Sequence, residues 1–93
     1  MIKRSFNSTM FKDTVKAISE QKIYHTTSPH HGETYLIIEC EKAQIRALPW
    51  ELSEDMISTI KSGDLLDKTF FFTVIRKSSK GSVFLVSFKE VLE

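Results

Sequence analysis

The chain has 93 residues, of which 41% are hydrophobic and 27% are charged, and its formal net charge is +1. This length fits a single domain over residues 1–93, and the composition is that of a folded globular protein and excludes intrinsic disorder. No apolar run approaches the ~18 residues that span a bilayer. The basic first residues are not followed by the apolar stretch of a secretory signal, and Cys40 is the single cysteine, so it cannot form an internal disulfide. We therefore expect a soluble, cytoplasmic protein without membrane association.

The first element that the sequence predicts is a short amphipathic helix over residues 10–21. Phe11, Val15 and Ile18 recur at the spacing of one helix face. An extended first strand is the alternative, because Val15 and Ile18 also suit β geometry. A strand over residues 22–27 and a loop over residues 28–32 are predicted to follow.

Two further strands are predicted in the middle of the chain. Residues 33–41 have the two-residue period of a strand, which places Leu36, Ile38 and Cys40 on one face and Tyr35 and Ile37 on the other. The alternation continues over residues 43–47, where Arg46 faces the opposite way from the apolar positions. We therefore expect a second strand after a tight turn, or one long bent strand.

A helix and a hairpin complete the chain. Ser53 suits a helix N-cap, Lys61 lies in the last turn, and Gly63 is placed to end the helix. Residues 69–88 then have the pattern of a β-hairpin, with aromatic and β-branched strands on either side of a polar turn over residues 76–81.

From residue 33 to residue 88 this order of elements resembles an OB-fold domain of the S1 type. The resemblance is carried by the strands 34–41 and 43–48, the short helix, the pair Gly63-Asp64 and the final hairpin. It implies a mainly β fold with short helices (α+β). The expected architecture is a five-stranded OB-like Greek-key barrel, with an N-terminal helix and a helix between strands 3 and 4. S1 domains usually carry several aromatics in the second strand, whereas this chain has Tyr35 alone.

The resemblance implies a non-catalytic accessory protein that binds single-stranded DNA or RNA. In OB-like barrels the ligand lies across strands 2 and 3, between two loops that correspond here to residues 26–32 and 76–81. Such a groove needs cations for phosphates and aromatic rings for bases. The residues predicted to contact phosphates, bases and the floor of the groove are Arg76, Lys77, Lys80, Tyr35, His30, His31, Arg46 and Lys42.

Two other interpretations of the same residues stay open. The basic turn 76–81 could be an ordinary solvated turn, since turns are commonly rich in lysine, serine and glycine. The protein could also be a small interaction module that docks on a protein partner, as a monomer or a homodimer. Phe71 would be exposed for such a contact unless the helix 10–21 covers it. The residues of this alternative interface are Trp50, Phe71, Glu51, Glu54 and Asp55.

No motif predicts catalysis, a metal or a cofactor. Among His25, His30, His31 and Cys40, the pair His25 and His30 has the spacing of one half of a zinc site, but Cys40 has no cysteine partner and is expected to point into the core. Ser28, His30 and Glu33 are triad residue types, but proximity in sequence is not triad geometry. We therefore expect a protein that is not an enzyme and has no cofactor.

Overall fold

The structure, a computed structural model, describes residues 8–24, 26–76 and 83–92. Its elements are the strands β1 (Ser8–Lys22), β2 (Thr34–Cys40), β3 (Gln44–Ala47), β4 (Thr69–Arg76) and β5 (Val83–Glu90), the helix α1 (Glu54–Lys61), and a 3-10 turn over Pro49–Glu51. The prediction of a mainly β fold with a helix between the third and fourth strands is confirmed. In the part of the chain that is described, no helix has the length and apolarity needed to cross a membrane.

The five strands form one closed sheet in the order β1-β2-β3-β5-β4. Closure depends on β1, which pairs antiparallel with β2 through its second half and with β4 through its first half. β2 and β3 form one antiparallel hairpin, and β4 and β5 form another. The hairpins join where Arg46 of β3 pairs in parallel with Phe84 of β5.

The core lies inside this closed sheet. Leu36 and Ile38 of β2 and Ile45 of β3 are buried, whereas Tyr35 and Arg46 lie on the opposite faces of their strands and keep partial exposure. The alternation predicted for both strands is therefore confirmed. α1 adds the fully buried Ile60 to the same core, and the turn after α1 adds Leu65.

The predicted N-terminal helix over residues 10–21 is wrong, because this segment belongs to β1. Phe11 and Val15 are an even number of residues apart, so both can face the interior of a strand. The register shifts between Val15 and Ala17, and this bulge brings Ile18 opposite Ile38 of β2. One extra residue thus turns the two-residue period of a strand into an apparent helical spacing.

The predicted strand over residues 22–27 is also wrong, since β1 ends at Lys22 and Ile23 and Tyr24 lie outside any strand. They open the connection to β2. In that connection Ile23 N–H donates to the carbonyl of Glu33, and Gly32 N–H donates to the carbonyl of Ile23, each at 2.9 Å. Gly32 has a φ of +90°, a backbone conformation that favours glycine.

Asp13 is the one charged side chain that is buried among the residues described. Its Oδ1 accepts a hydrogen bond from Thr14 N–H at 2.8 Å, and its Oδ2 accepts one from Lys42 N–H at 3.0 Å. These bonds satisfy the carboxylate inside the protein and tie β1 to the turn between β2 and β3.

The caps of α1 and the C-terminal hairpin are as predicted. Ser53 caps the helix, because its Oγ accepts from Met56 N–H at 3.2 Å. Gly63 follows the C-cap with a φ of +87°, which suits a residue without a Cβ. β4 and β5 form the predicted hairpin, although residues 77–82 between them lie outside the described residues.

Candidate nucleic-acid interface

An open groove of about 450 Å³ lies on the outside of the closed sheet, where β1 ends, β2 begins and β3 ends. Aromatic rings and two cations form much of its lining, and these side chains come from separate parts of the chain. They are Lys22, Tyr24, His30, Tyr35, Arg46, Trp50 and Phe84. We call this surface the aromatic groove.

β2 and β3 place Tyr35 and Arg46 side by side on the floor of the groove. Each of them alternates with buried neighbours in its strand, so the two side chains emerge on the outer face of the sheet. The guanidinium carbon of Arg46 lies 5.7 Å from the centre of the Tyr35 ring. This cation–π contact holds a positive charge beside an aromatic face.

The connection between β1 and β2 forms one wall of the groove. Ser28 Oγ accepts from His30 N–H at 3.1 Å, and Glu33 N–H donates to the carbonyl of His30 at 2.9 Å. The His30 ring then stacks on Trp50, with ring centres 3.8 Å apart and ring planes at 11°. Glu33 Oε2 lies 3.1 Å from His30 Nδ1 on the exposed side. His30 is therefore held through its backbone, through one face of its ring and through one ring nitrogen.

The hairpin β4–β5 contributes Phe84 to the lining of the groove. Phe84 is paired with Ile75 on one side and with Arg46 on the other. Arg76, the residue after Ile75, is the last residue of β4 and is exposed. The hairpin consequently reaches the sheet surface next to the aromatic groove.

No family model, no curated protein and no solved structure matches the chain. The chemistry of the aromatic groove therefore follows from its own residues and their geometry.

The structure brings three of the residues predicted to bind nucleic acid into the aromatic groove: Tyr35, His30 and Arg46. It also places Trp50 there, although the sequence analysis assigns Trp50 to the alternative protein interface. Tyr24, which is 73% exposed, is a groove residue that was not predicted.

The other residues predicted to bind nucleic acid lie elsewhere or are not described. Lys42 is in the turn at the far end of β2 and β3, and its backbone N–H donates to Asp13. His31 is exposed in the β1–β2 connection and does not line the groove. Lys77 and Lys80 lie outside the described residues, so their role stays a prediction.

Sequence reasoning missed Lys22, Tyr24 and Phe84. The sequence holds a partial signal for Phe84, because Phe84 lies between Val83 and Leu85 and so faces away from them, but this alternation ends at Leu85, where the register of β5 shifts. The signal for Lys22 and Tyr24 is hidden, because the pattern places both in a predicted strand that does not form.

Four residues of the alternative protein interface lie within residues 50–55, whereas Phe71 lies on β4. Glu54 and Asp55 are exposed in the first turn of α1, where carboxylates stabilise a helix, and Glu51 precedes them. Phe71 lies outward on β4 and is 41% exposed, since the segment predicted to cover it as a helix is a strand. Phe71 and these carboxylates come from different elements, and none of them lines the aromatic groove.

Among the residues described, no three His, Cys, Asp or Glu side chains are grouped so that they could hold a metal ion. Cys40 is half-buried at the end of β2 and packs against the core. Burial, and to a smaller extent the negative charge of Asp13, raises the pKa of its thiol from 9.0 to about 12. The thiol therefore stays protonated at neutral pH and is a weak nucleophile.

We expect Cys40 to react slowly with the thiol reagent DTNB at pH 8. A pKa raised from 9.0 to about 12 leaves about a thousandfold less thiolate than an ordinary cysteine has at this pH. The rate for the folded protein should keep rising about tenfold per pH unit above pH 9, because the pH is still below the pKa. The rate for the unfolded chain should level off there. A plateau near pH 9 in the folded protein would contradict the raised pKa.

Proposed function

We propose that the closed sheet is an OB-type barrel that binds single-stranded nucleic acid, without catalysis, in the aromatic groove. The order β1-β2-β3-β5-β4 and the helix between β3 and β4 support the OB assignment. The position of the groove supports it as well. It lies over β2 and β3 and beside the connection between β1 and β2, where barrels of this type bind oligonucleotides.

The observation that carries the proposal is the mixture of rings and cations in one groove. Tyr24, Tyr35, Trp50 and Phe84 offer aromatic surface, and Arg46 lies beside the Tyr35 ring. Bases stack on aromatic rings of any kind, and phosphates are neutralised by lysine and arginine. A groove of this composition suits a ligand in which flat bases alternate with anionic phosphates.

The arrangement favours a single strand over a duplex. In a duplex the faces of the bases are already stacked on one another, so aromatic side chains in a groove cannot reach them. Trp50 and Tyr35 present ring surface that only unstacked bases can use. DNA and RNA both satisfy this requirement, and both belong in the test.

The test is a titration of labelled single-stranded DNA and RNA, followed by fluorescence anisotropy at low and moderate salt. We expect binding at low salt that weakens steeply as salt is raised, because phosphate contacts release counterions. Trp50 is the single tryptophan of the chain, so its own fluorescence reports occupancy of the groove. It should be quenched in step with the rise in anisotropy. An absence of binding at low salt would overturn the proposal.

Charge variants locate the phosphate contacts. Replacing Lys22 and Arg46 together by glutamine should flatten the dependence of log affinity on log salt, by about 0.7 for each phosphate that is no longer neutralised. Lys16→Gln is the matched control, because Lys16 lies outside the groove and pairs with Glu41 at 3.5 Å. Neutralising Arg76, Lys77 and Lys80 tests the basic turn predicted from the sequence. A salt dependence that is the same in the Lys22 and Arg46 variant as in the parent would place the phosphates elsewhere.

A further inference from the structure

We propose that a second surface, formed by β1, β4 and β5, extends the binding path of the same single strand beyond the aromatic groove. This surface is defined by Met10, Lys12, Phe71 and Lys89, and we call it the Phe71 face. The inference rests on the proposed function, because it assigns a further contact to the same ligand.

Cross-strand pairing places Phe71 between two lysines. Lys12 of β1 lies directly opposite Phe71, and Phe71 lies directly opposite Lys89 of β5. Residues opposite each other in antiparallel strands share a face, so the three side chains form one row on the outside of the sheet. Met10 belongs to the next outward row and is 67% exposed. An aromatic ring flanked by two cations is the unit from which a single-strand site is built.

The charges of the Phe71 face favour an anionic ligand. The outward rows on either side of the Phe71 row hold no carboxylate, since their paired positions are Met10, Thr73 and Ser87 in one row and Thr14 and Thr69 in the other. Lys12 and Lys89 take part in none of the ion pairs found among the described residues.

A polyanion fits this surface better than a second copy of the chain does. A two-fold contact between copies would set the lysines against one another, since the same patch meets itself in such an interface. A polyanion that carries stackable bases satisfies both the lysines and the ring.

The Phe71 face is continuous with the aromatic groove. Phe84 lines the groove and is paired with Ile75 of β4. Phe71 follows on the same side of β4, four positions from Ile75, which corresponds to about 13 Å along the strand. A nucleic-acid strand seated at Phe84 would therefore reach Phe71 within a few nucleotides. The groove alone would hold a short oligomer, and a longer oligomer would occupy both surfaces.

The length of the oligonucleotide separates the two surfaces experimentally. We would titrate the protein with oligothymidylates of about 4 and about 12 nucleotides, which fall within the usual site sizes of such domains. Anisotropy gives the affinity, and Trp50 fluorescence shows whether the groove is filled. Phe71→Ala should weaken binding of the longer oligomer about 5- to 150-fold, the effect of losing one stacked base, and leave the shorter one unchanged.

A second variant distinguishes a binding defect from a folding defect in Phe71→Ala. Lys12→Gln combined with Lys89→Gln keeps the ring, and it should flatten the salt dependence of the longer oligomer alone. If the short oligomer binds but the Phe71 and lysine variants bind the long one as the parent does, the inference is overturned and the proposed function stands. A change from dimer to monomer in Phe71→Ala, with oligomer binding as in the parent, would overturn it in favour of a contact between copies. If neither oligomer binds, the proposed function falls, and the inference falls with it.

Discussion

Trp50→Ala is expected to weaken the binding of a short single-stranded oligonucleotide about 5- to 150-fold, which corresponds to the loss of about 1 to 3 kcal/mol of base stacking. Trp50 provides the largest ring in the aromatic groove, and His30 stacks on it at 3.8 Å. Alanine removes the ring and also leaves His30 without its stacking partner. Anisotropy of a labelled oligomer measures the effect, because this variant lacks the tryptophan fluorophore.

Trp50→Phe is the matched control for this prediction. Phenylalanine keeps an aromatic face at the same position, so the affinity should stay within a few-fold of the parent protein. Phe71→Ala is a second control with the short oligomer, because Phe71 lies on β4 outside the groove. An affinity of Trp50→Ala within about twofold of the parent would show that the ligand does not stack at Trp50.

Phe72→Ala is expected to lower the free energy of unfolding by about 3 to 5 kcal/mol, as is usual for truncation of a fully buried phenylalanine. Phe72 is 0% exposed, and its ring centre lies 5.9 Å from that of Phe11 and 5.8 Å from that of Phe70. Alanine would leave a cavity in the middle of the closed sheet. A domain of this size has a total stability of about 5 to 14 kcal/mol, so the loss is a large share of it.

The neighbouring Phe71→Ala provides the comparison within the same strand. Phe71 points outward and is 41% exposed, so its replacement leaves no enclosed cavity and should cost only about 1 to 2 kcal/mol. Urea-induced unfolding, followed by circular dichroism, gives both values. If the two variants lost equal stability, the assignment of Phe72 as inward and Phe71 as outward in β4 would be contradicted.

Local sequence patterns predicted the two ends of α1 and the alternation of inward and outward residues in β2. Ser53 and Gly63 mark the ends of α1, and each acts through neighbours only a few residues away. The alternation of β2 predicted which of its side chains face the core. These predictions succeeded because the period and the cap residues are present in the sequence itself.

For β1 the local pattern left a helix and an extended strand as alternatives, and it is the strand that forms. The buried Asp13 interrupts its apolar alternation, and the bulge before Ala17 changes the face on which Ile18 lies. Both features depend on partners that are distant in sequence, since Asp13 bonds to Lys42 and Ile18 lies opposite Ile38. The apparent helical spacing is therefore a product of a strand that bends to pair with two neighbours.

The residue chemistry of this protein can be read from its sequence: a β-rich chain with one well-capped helix, an outward Tyr35, and a basic hairpin turn. Which residues share a surface depends instead on how the sheet closes. Closure brings Phe84 of β5 next to Arg46 of β3, and the β1–β2 connection carries His30 onto Trp50. Such contacts join residues that are far apart along the chain, and no local period encodes them. The aromatic groove is consequently a property of the closed sheet.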